Sequence, residues 1–261
     1  MLSALWVSKT GLSAQDTALR TISNNLANVS TIGFKKDRAV FQDLLYQIDR
    51  QPGAQASQET QLPSGLQLGT GVRTAGTQKI FTEGSLQITE NALDLAINGR
   101  GFFQILLPDG NLGYTRDGEF HLDANGQIVT ANGDPLQPAI TIPETAQSVT
   151  VGTDGTVTVA LAGDTGVTEI GNIQLVDFVN PAGLQAVGGN LFRETASSGA
   201  PQEGTPGLNG LGALEQGTLE NSNVSVVEEL VNMITTQRAY EMNSKVVSTA
   251  DQMLQYISQN I

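Results

Sequence analysis

The chain has 261 residues, 13 Lys+Arg against 26 Asp+Glu, and no cysteine. That length allows one large domain or two modest ones, and a net charge of −13 is the wrong sign for a nucleic-acid binder. Without cysteine there can be no disulfide framework, no thiolate zinc site and no cysteine nucleophile.

The first predicted element is an amphipathic helix. Leu5, Leu12, Leu19 and Leu26 recur every seventh residue, Ile22 and Val29 extend the stripe, and Trp6 flanks it. A seven-residue apolar repeat keeps one seam turned toward a helical partner. Residues 3–29 would span about 40 Å at the α-helical rise. Asn24, Asn25 and Asn28 follow, and their short amides compete for backbone hydrogen bonds, so the helix should end among them, with Gly33 as a stop just beyond. The opening MLSALWVSKT lacks a basic n-region, a long apolar run and a small-residue cleavage site, so no cleaved signal is expected. No apolar run approaches the roughly 20 residues of a membrane span, and no membrane insertion is expected.

Lys35, Lys36 and Arg38 form the only basic cluster, although the first 50 residues carry 6 of the basic and only 4 of the acidic groups. On so acidic a chain they are expected to form a solvated or subunit-contacting face rather than a phosphate site. Residues 46–72, rich in Gln, Ser, Thr, Gly and Pro, read as extended linker. From about 73 to 195 short β-runs alternate with turns; Phe120 and Leu122 alternate with Glu119, His121 and Asp123, and a hairpin is expected around Asp154-Gly155. Residues 196–217 read as a second Gly/Pro loop.

The last element is the strongest helix. Val226, Met233, Tyr240, Val247, Leu254 and Ile261 are spaced by seven, and Leu230, Ile234 and Ile257 widen the stripe. Asn223 or Ser225 would cap it, with Glu228 and Glu229 in its first turn, where negative charge favours the helix dipole. The expected class is α+β, with N- and C-terminal heptad helices pairing as a coiled-coil-like domain around a central mainly-β domain. The divisions are an N-terminal helix over 1–35, a linker over 36–72, a β domain over 73–221 and a C-terminal helix over 222–261.

Motifs tested for chemistry give little. The run from Asp123 to Asp134 resembles a calcium loop only superficially, since its sixth position is Ile128 and not glycine, and it reads as a β-turn. Gly99 and Gly101 are followed by Gln104, where a dinucleotide fingerprint needs its third glycine. His121, the one histidine, reads as a solvated strand residue. No catalytic residue, cofactor or metal is expected, and no enzyme activity.

The stretches NNLANVSTIGFKKDRAVFQDLL (24–45) and LENSNVSVVEELVNMITTQRAYEMNSKVVSTADQML (219–254) resemble the two terminal signatures of bacterial flagellar rod and hook proteins. LDLAINGRGFFQI and YTRDGEFHLDANGQIVTANGDPL resemble the central β motifs of the same family. Within it the chain is closest to the distal-rod members, since it is too short for a hook protein's outer domains. YQIDRQPGAQASQETQLPSG (46–65) resembles an insertion associated with rod straightness. In that insertion Gln51, Pro52, Gly53, Leu62, Pro63 and Gly65 are the candidate residues.

The resemblance implies a self-assembling helical polymer whose paired termini line an axial channel, with the β domain outside. It also implies partners: proximal rod subunits, hook subunits, the peptidoglycan- and outer-membrane-ring proteins, and the flagellar type III export apparatus. The location implied is the basal body, from periplasm to outer membrane. The assembly surface would be Leu5, Leu12, Leu19, Ile22 and Leu26 with Asn24, Asn25 and Asn28, together with Val226, Leu230, Met233, Tyr240, Val247 and Leu254. A proximal-rod or hook-type subunit, a cell-wall-binding β module and a muramidase remain alternatives; the last would need two carboxylates positioned in a cleft.

Overall fold

The computed structural model describes residues 2–53, 64–161 and 166–259. The chain forms two compact units and passes between them more than once. The first gathers Met1–Leu26, Asp37–Gln78 and Ser225–Ile261; the second gathers Ala27–Lys36 and Lys79–Val224.

The first unit holds both long helices, α1 (Leu2–Ala27) and α2 (Val226–Gln259). Helix α1 stops inside the asparagine cluster, as the competition between amide side chains and helical backbone predicts. At the start of α2 the Ser225 carbonyl accepts the first helical bond from Glu229 N at 3.0 Å, so Ser225 stands at the cap position. The Asn223 amide is committed elsewhere, to Lys36 and Ile80. The same unit contains the antiparallel pair Asp37–Asp43 and Val72–Lys79.

The described parts of the 46–72 stretch differ from the linker reading. They pair as an antiparallel ribbon, Tyr46–Arg50 with Leu66–Gly69, and Tyr46 stands opposite Gly69. The apolar residues of YQI and LQL alternate with glutamine, a period-2 signal that the surrounding polar composition hides. All of these strand residues are exposed.

The second unit is built on a seven-stranded antiparallel sheet. Its central strand, Phe102–Leu106, pairs with Leu112–Thr115 and Leu175–Asp177, and Leu136–Gln137 adds to its far end. A three-stranded meander follows: Ala146–Val151, Thr156–Leu161 and Val167–Asn172. The first two make the expected hairpin at Asp154-Gly155.

The run FFQIL is buried on both faces, which explains why it shows no polar alternation. Phe103 and Ile105 face one core with Phe120, Val157, Val159, Ile173 and Leu214. Phe102 faces the other with Tyr114, Val176, Phe178 and Phe192. Rings in this second core pack edge to face, with Tyr114 and Phe178 centroids 4.8 Å apart and Phe81 and Phe102 5.3 Å apart. Burial pushes the Tyr114 phenol up to about 12.

The Gly/Pro stretch 196–217 is more ordered than a loop. Gln202–Gly204 pairs with Leu175–Asp177, and Ala213–Gln216 pairs with Leu95–Asn98, which seats Leu214 in the core. Asp123 to Asn125 form the turn between Phe120–Leu122 and Ile128–Thr130, closed by Gly126 N donating to Asp123 O at 2.8 Å. His121 is exposed beside Glu119.

The basic cluster requires a correction. Lys35 is fully buried in the second unit, its Nζ 2.5 Å from Glu220 Oε1 and 2.8 Å from the Thr82 carbonyl. Arg116 reaches the other Glu220 oxygen at 3.3 Å. Burial holds the Lys35 amine below its ordinary value, against the pull of Glu220, and holds the Arg116 guanidinium down in the same way. Arg38 instead donates to Gln78 at 3.1 Å. Lys35 and Arg38 therefore make no common surface patch: a cation from a chain of such low charge density has been taken inside to meet a carboxylate 185 residues away.

Candidate assembly surface

The two predicted stripes lie in the first unit and differ in exposure. On α1, Ile22 and Asn25 are buried, Leu5, Leu12, Leu19 and Leu26 are half-buried, and Asn24 is exposed. The most enclosed positions elsewhere on the helix are small, Ser8 and Ala14. Small side chains let a neighbouring element come close, and at Gly11 that neighbour is a side chain of α2. A Cβ at Gly11 would stand 3.1 Å from Nδ2 of Asn243 on α2. Near the same end, Ala4 with Met242, Lys245, Val246, Ala250 and Met253 lines an apolar groove of about 530 Å³.

Another approach to α1 comes from the Asp37–Gln78 part of the unit. Val72 N donates to Thr10 Oγ1 at 3.3 Å, and Thr10 donates in turn to Val7 O at 2.8 Å. Gly71, at φ +124°, lets the chain pass Thr10, since a Cβ there would fall 2.2 Å from its hydroxyl oxygen.

The asparagines have separate roles. Asn25 binds the Asp37 backbone twice, through Nδ2 to the carbonyl at 2.8 Å and Oδ1 from the amide at 2.9 Å. Asn28, in the second unit, accepts from the Thr31 hydroxyl at 3.3 Å and turns the chain there.

On α2 the heptad is only partly covered. Met233, Val247 and Leu254 are half-buried, as are Thr236, Ala239, Asn243 and Ala250 on the neighbouring row. Val226, Leu230 and Tyr240 are exposed, Ile234 is 50 % exposed and Met253 is 53 % exposed. The side chain of Ile257, and Ile261 itself, lie outside the described residues. A 34-residue helix that keeps this much apolar surface in water is unusual for a finished monomer, because helices draw most of their stability from the face they bury.

Of the straightness residues, Gln51, Pro52 and Gly53 continue from the strand Tyr46–Arg50 and are exposed. Gly65 returns beside them, so close that a Cβ would fall 2.4 Å from the Arg50 carbonyl oxygen. Leu62 and Pro63 lie outside the described residues.

Sequence reasoning missed Ser8, Gly11 and Ala14, although their small size at helical spacing was available as a signal of close approach. It also missed Met242 and Met253, which flank the heptad positions. Among the described residues no cluster of three or more potential metal ligands occurs, and no helix is long and apolar enough to cross a membrane.

Comparison with known proteins agrees with this architecture along the chain. Residues 5–35 match the family described as flagella basal body rod protein, residues 96–159 the flagellar hook protein FlgE/F/G D1 domain, and residues 215–260 the flagellar basal body rod FlgEFG protein C-terminal region. The chain is 58 % identical over 259 residues to the flagellar basal-body rod protein FlgG of Buchnera aphidicola subsp. Schizaphis graminum, covering 99 % of this chain and 100 % of that protein. It is 48 % identical over 256 residues to the protein of the same name from Borreliella burgdorferi, covering 97 % of each. With that from Bacillus subtilis it shares 40 % identity over 261 residues, covering 98 % of this chain and 97 % of the relative. With both terminal helices and the central β unit matched, and relatives aligned over almost their full length, this chain belongs to the flagellar basal-body rod protein family and is a structural subunit of the rod.

Proposed function

We propose that this chain is a distal-rod subunit that self-assembles into a rigid helical tube, transmitting torque from motor to hook and enclosing the export channel. The observation that carries this reading is the exposed apolar face of α2, running from Val226 to Met253. In the tube, neighbouring copies cover that face, and the heptad stripes of α1 and α2 complete coiled-coil-like pairing there. Burying one such side chain contributes roughly 1.5–3 kcal/mol, and a polymer repeats the gain at every subunit.

Proximal rod subunits below and hook subunits above meet the same helical face at the tube's ends. The export apparatus delivers the chain to the growing tip. Peptidoglycan- and outer-membrane-ring proteins surround the tube, where a chain of net charge −13 with only 5 % aromatics resists adhesion to its bearing. No nucleic acid, membrane insertion, cofactor or catalysis enters this account. Electron microscopy of the purified protein after nucleation tests it: straight hollow tubes are expected, and a protein that stays monomeric under all nucleation conditions would contradict it.

A further inference from the structure

Three of the places where the backbone leaves one unit for the other are 36/37, 78/79 and 224/225. On the second unit's side a single side chain joins all three. Asn223 Oδ1 accepts from Lys36 N at 2.7 Å, and its Nδ2 donates to Ile80 O at 2.8 Å and to Thr82 Oγ1 at 3.0 Å. Ile80 N closes the set by donating to Lys36 O at 2.9 Å. Immediately behind it, Glu220 receives Lys35, Arg116 and the Gly84 amide, the last at 2.9 Å, while Gly33 N donates to the Glu220 carbonyl at 2.7 Å.

We infer that Asn223, backed by Glu220, is a positioning residue that binds these three backbone passages into one junction within the second unit, so that they cannot swing independently. Loose linkers would let each passage swing separately. Here one planar amide uses its acceptor and both donors on two other segments, far away in sequence, so the exits keep a fixed spacing. Neither hydrophobic core of the second unit includes Asn223 or Glu220. Asn223 is thus no part of the apolar packing of that unit, whereas Glu220 also holds the buried cations Lys35 and Arg116. Alanine removes every link made by the Asn223 side chain and leaves only the backbone bond from Ile80 N to Lys36 O; aspartate keeps the acceptor for Lys36 N and loses the donors to Ile80 and Thr82.

This inference rests on the proposed polymer, and the test separates the two. Wild type, Asn223→Asp and Asn223→Ala are assembled as full chains, bending of the rods is measured by electron microscopy, and melting of the β unit is followed in parallel. Expected are straight wild-type rods, with persistence length falling several-fold in Asn223→Ala and less in Asn223→Asp, while the β unit of both variants still folds. Absence of wild-type rods would sink the polymer reading itself. Variant rods as stiff as wild type would overturn the junction. So would a folded variant that cannot assemble, because Asn223 would then set assembly competence and not stiffness. An Asn223→Asp chain whose β unit fails to fold would also overturn it, by reducing the residue to a stability element.

Discussion

Asn25 and Asp37 exchange two hydrogen bonds across the turn that follows α1, at 2.8 and 2.9 Å. The amide of Asn25, 1 % exposed, thereby satisfies both backbone groups of the residue that opens the next strand. Truncation removes both of these bonds from the half-buried Asp37 backbone, at a cost of about 1–3 kcal/mol. Asn25→Ala should therefore speed exchange of the Asp37 amide and lower the stability of the helical unit, with little change in the β unit. Unchanged exchange at Asp37 would show that water replaces the side chain without loss.

The Lys35–Glu220–Arg116 group gives a second prediction. Breaking a buried ion pair from one side leaves uncompensated charge and costs about 3–5 kcal/mol, whereas replacing both partners costs much less. Glu220→Gln should destabilise the β unit strongly in urea, and adding Lys35→Met should recover part of the loss. If the double variant is worse than the single by the full cost of Lys35→Met alone, the two residues are not coupled.

Asp117 predicts a pH effect. Burial raises its carboxyl above the ordinary value, aided by the nearby charges of Glu119 and Asp94 and opposed by hydrogen bonds from Glu119 N and Asn190. A raised carboxyl means that the folded state keeps its proton after the unfolded chain has lost it. Ionised Asp117 is then a cost at neutral pH, and the cost shrinks as pH falls through the folded value. It vanishes below the unfolded value, about 3.9. Asp117→Asn should melt higher than wild type at pH 7, and the gap should close on acidification. A gap that is constant with pH would assign the difference to packing.

The ribbon Tyr46–Arg50 and Leu66–Gly69 exposes every strand residue, so it is free to brace a neighbouring subunit. Deleting residues 51–65 should leave the subunit folded and make its polymer curved or flexible. Stiff, straight polymers from the deletion variant would remove the bracing role.

Ile234 and Met253 are each about half exposed on α2. Ile234→Asp or Met253→Asp places charge where a neighbour is expected, with a desolvation cost added to the lost burial. Either should abolish assembly while the β unit melts normally; polymerisation at the wild-type rate would move the interface elsewhere.

Local periodicity made α1, α2 and the hairpin at Asp154-Gly155 legible, because heptads and β-turn pairs announce themselves within a few residues. The ribbon at Tyr46–Arg50 was hidden because its polar composition outweighed its alternation. Lys35 misled for a different reason. Nothing near it marks a buried cation, since its partners Glu220 and Arg116 come from distant segments and only the fold brings them together. Local grounds allow Asn223 or Ser225 as the cap of α2; the structure uses Ser225 and commits the Asn223 amide to Lys36 and Ile80. Half-burial of the leucines on α1 likewise depends on which neighbours the fold supplies, beyond what spacing can fix.

Amide hydrogen exchange over residues 226–259, compared between free subunit and polymer, tests the central claim most directly. A helix whose apolar face lacks a partner opens readily, and one packed between copies does not. Fast exchange along α2 in the free subunit and strong protection in the polymer is the predicted result. Equal protection in both states would contradict the account, because α2 would then be fully satisfied within a single chain.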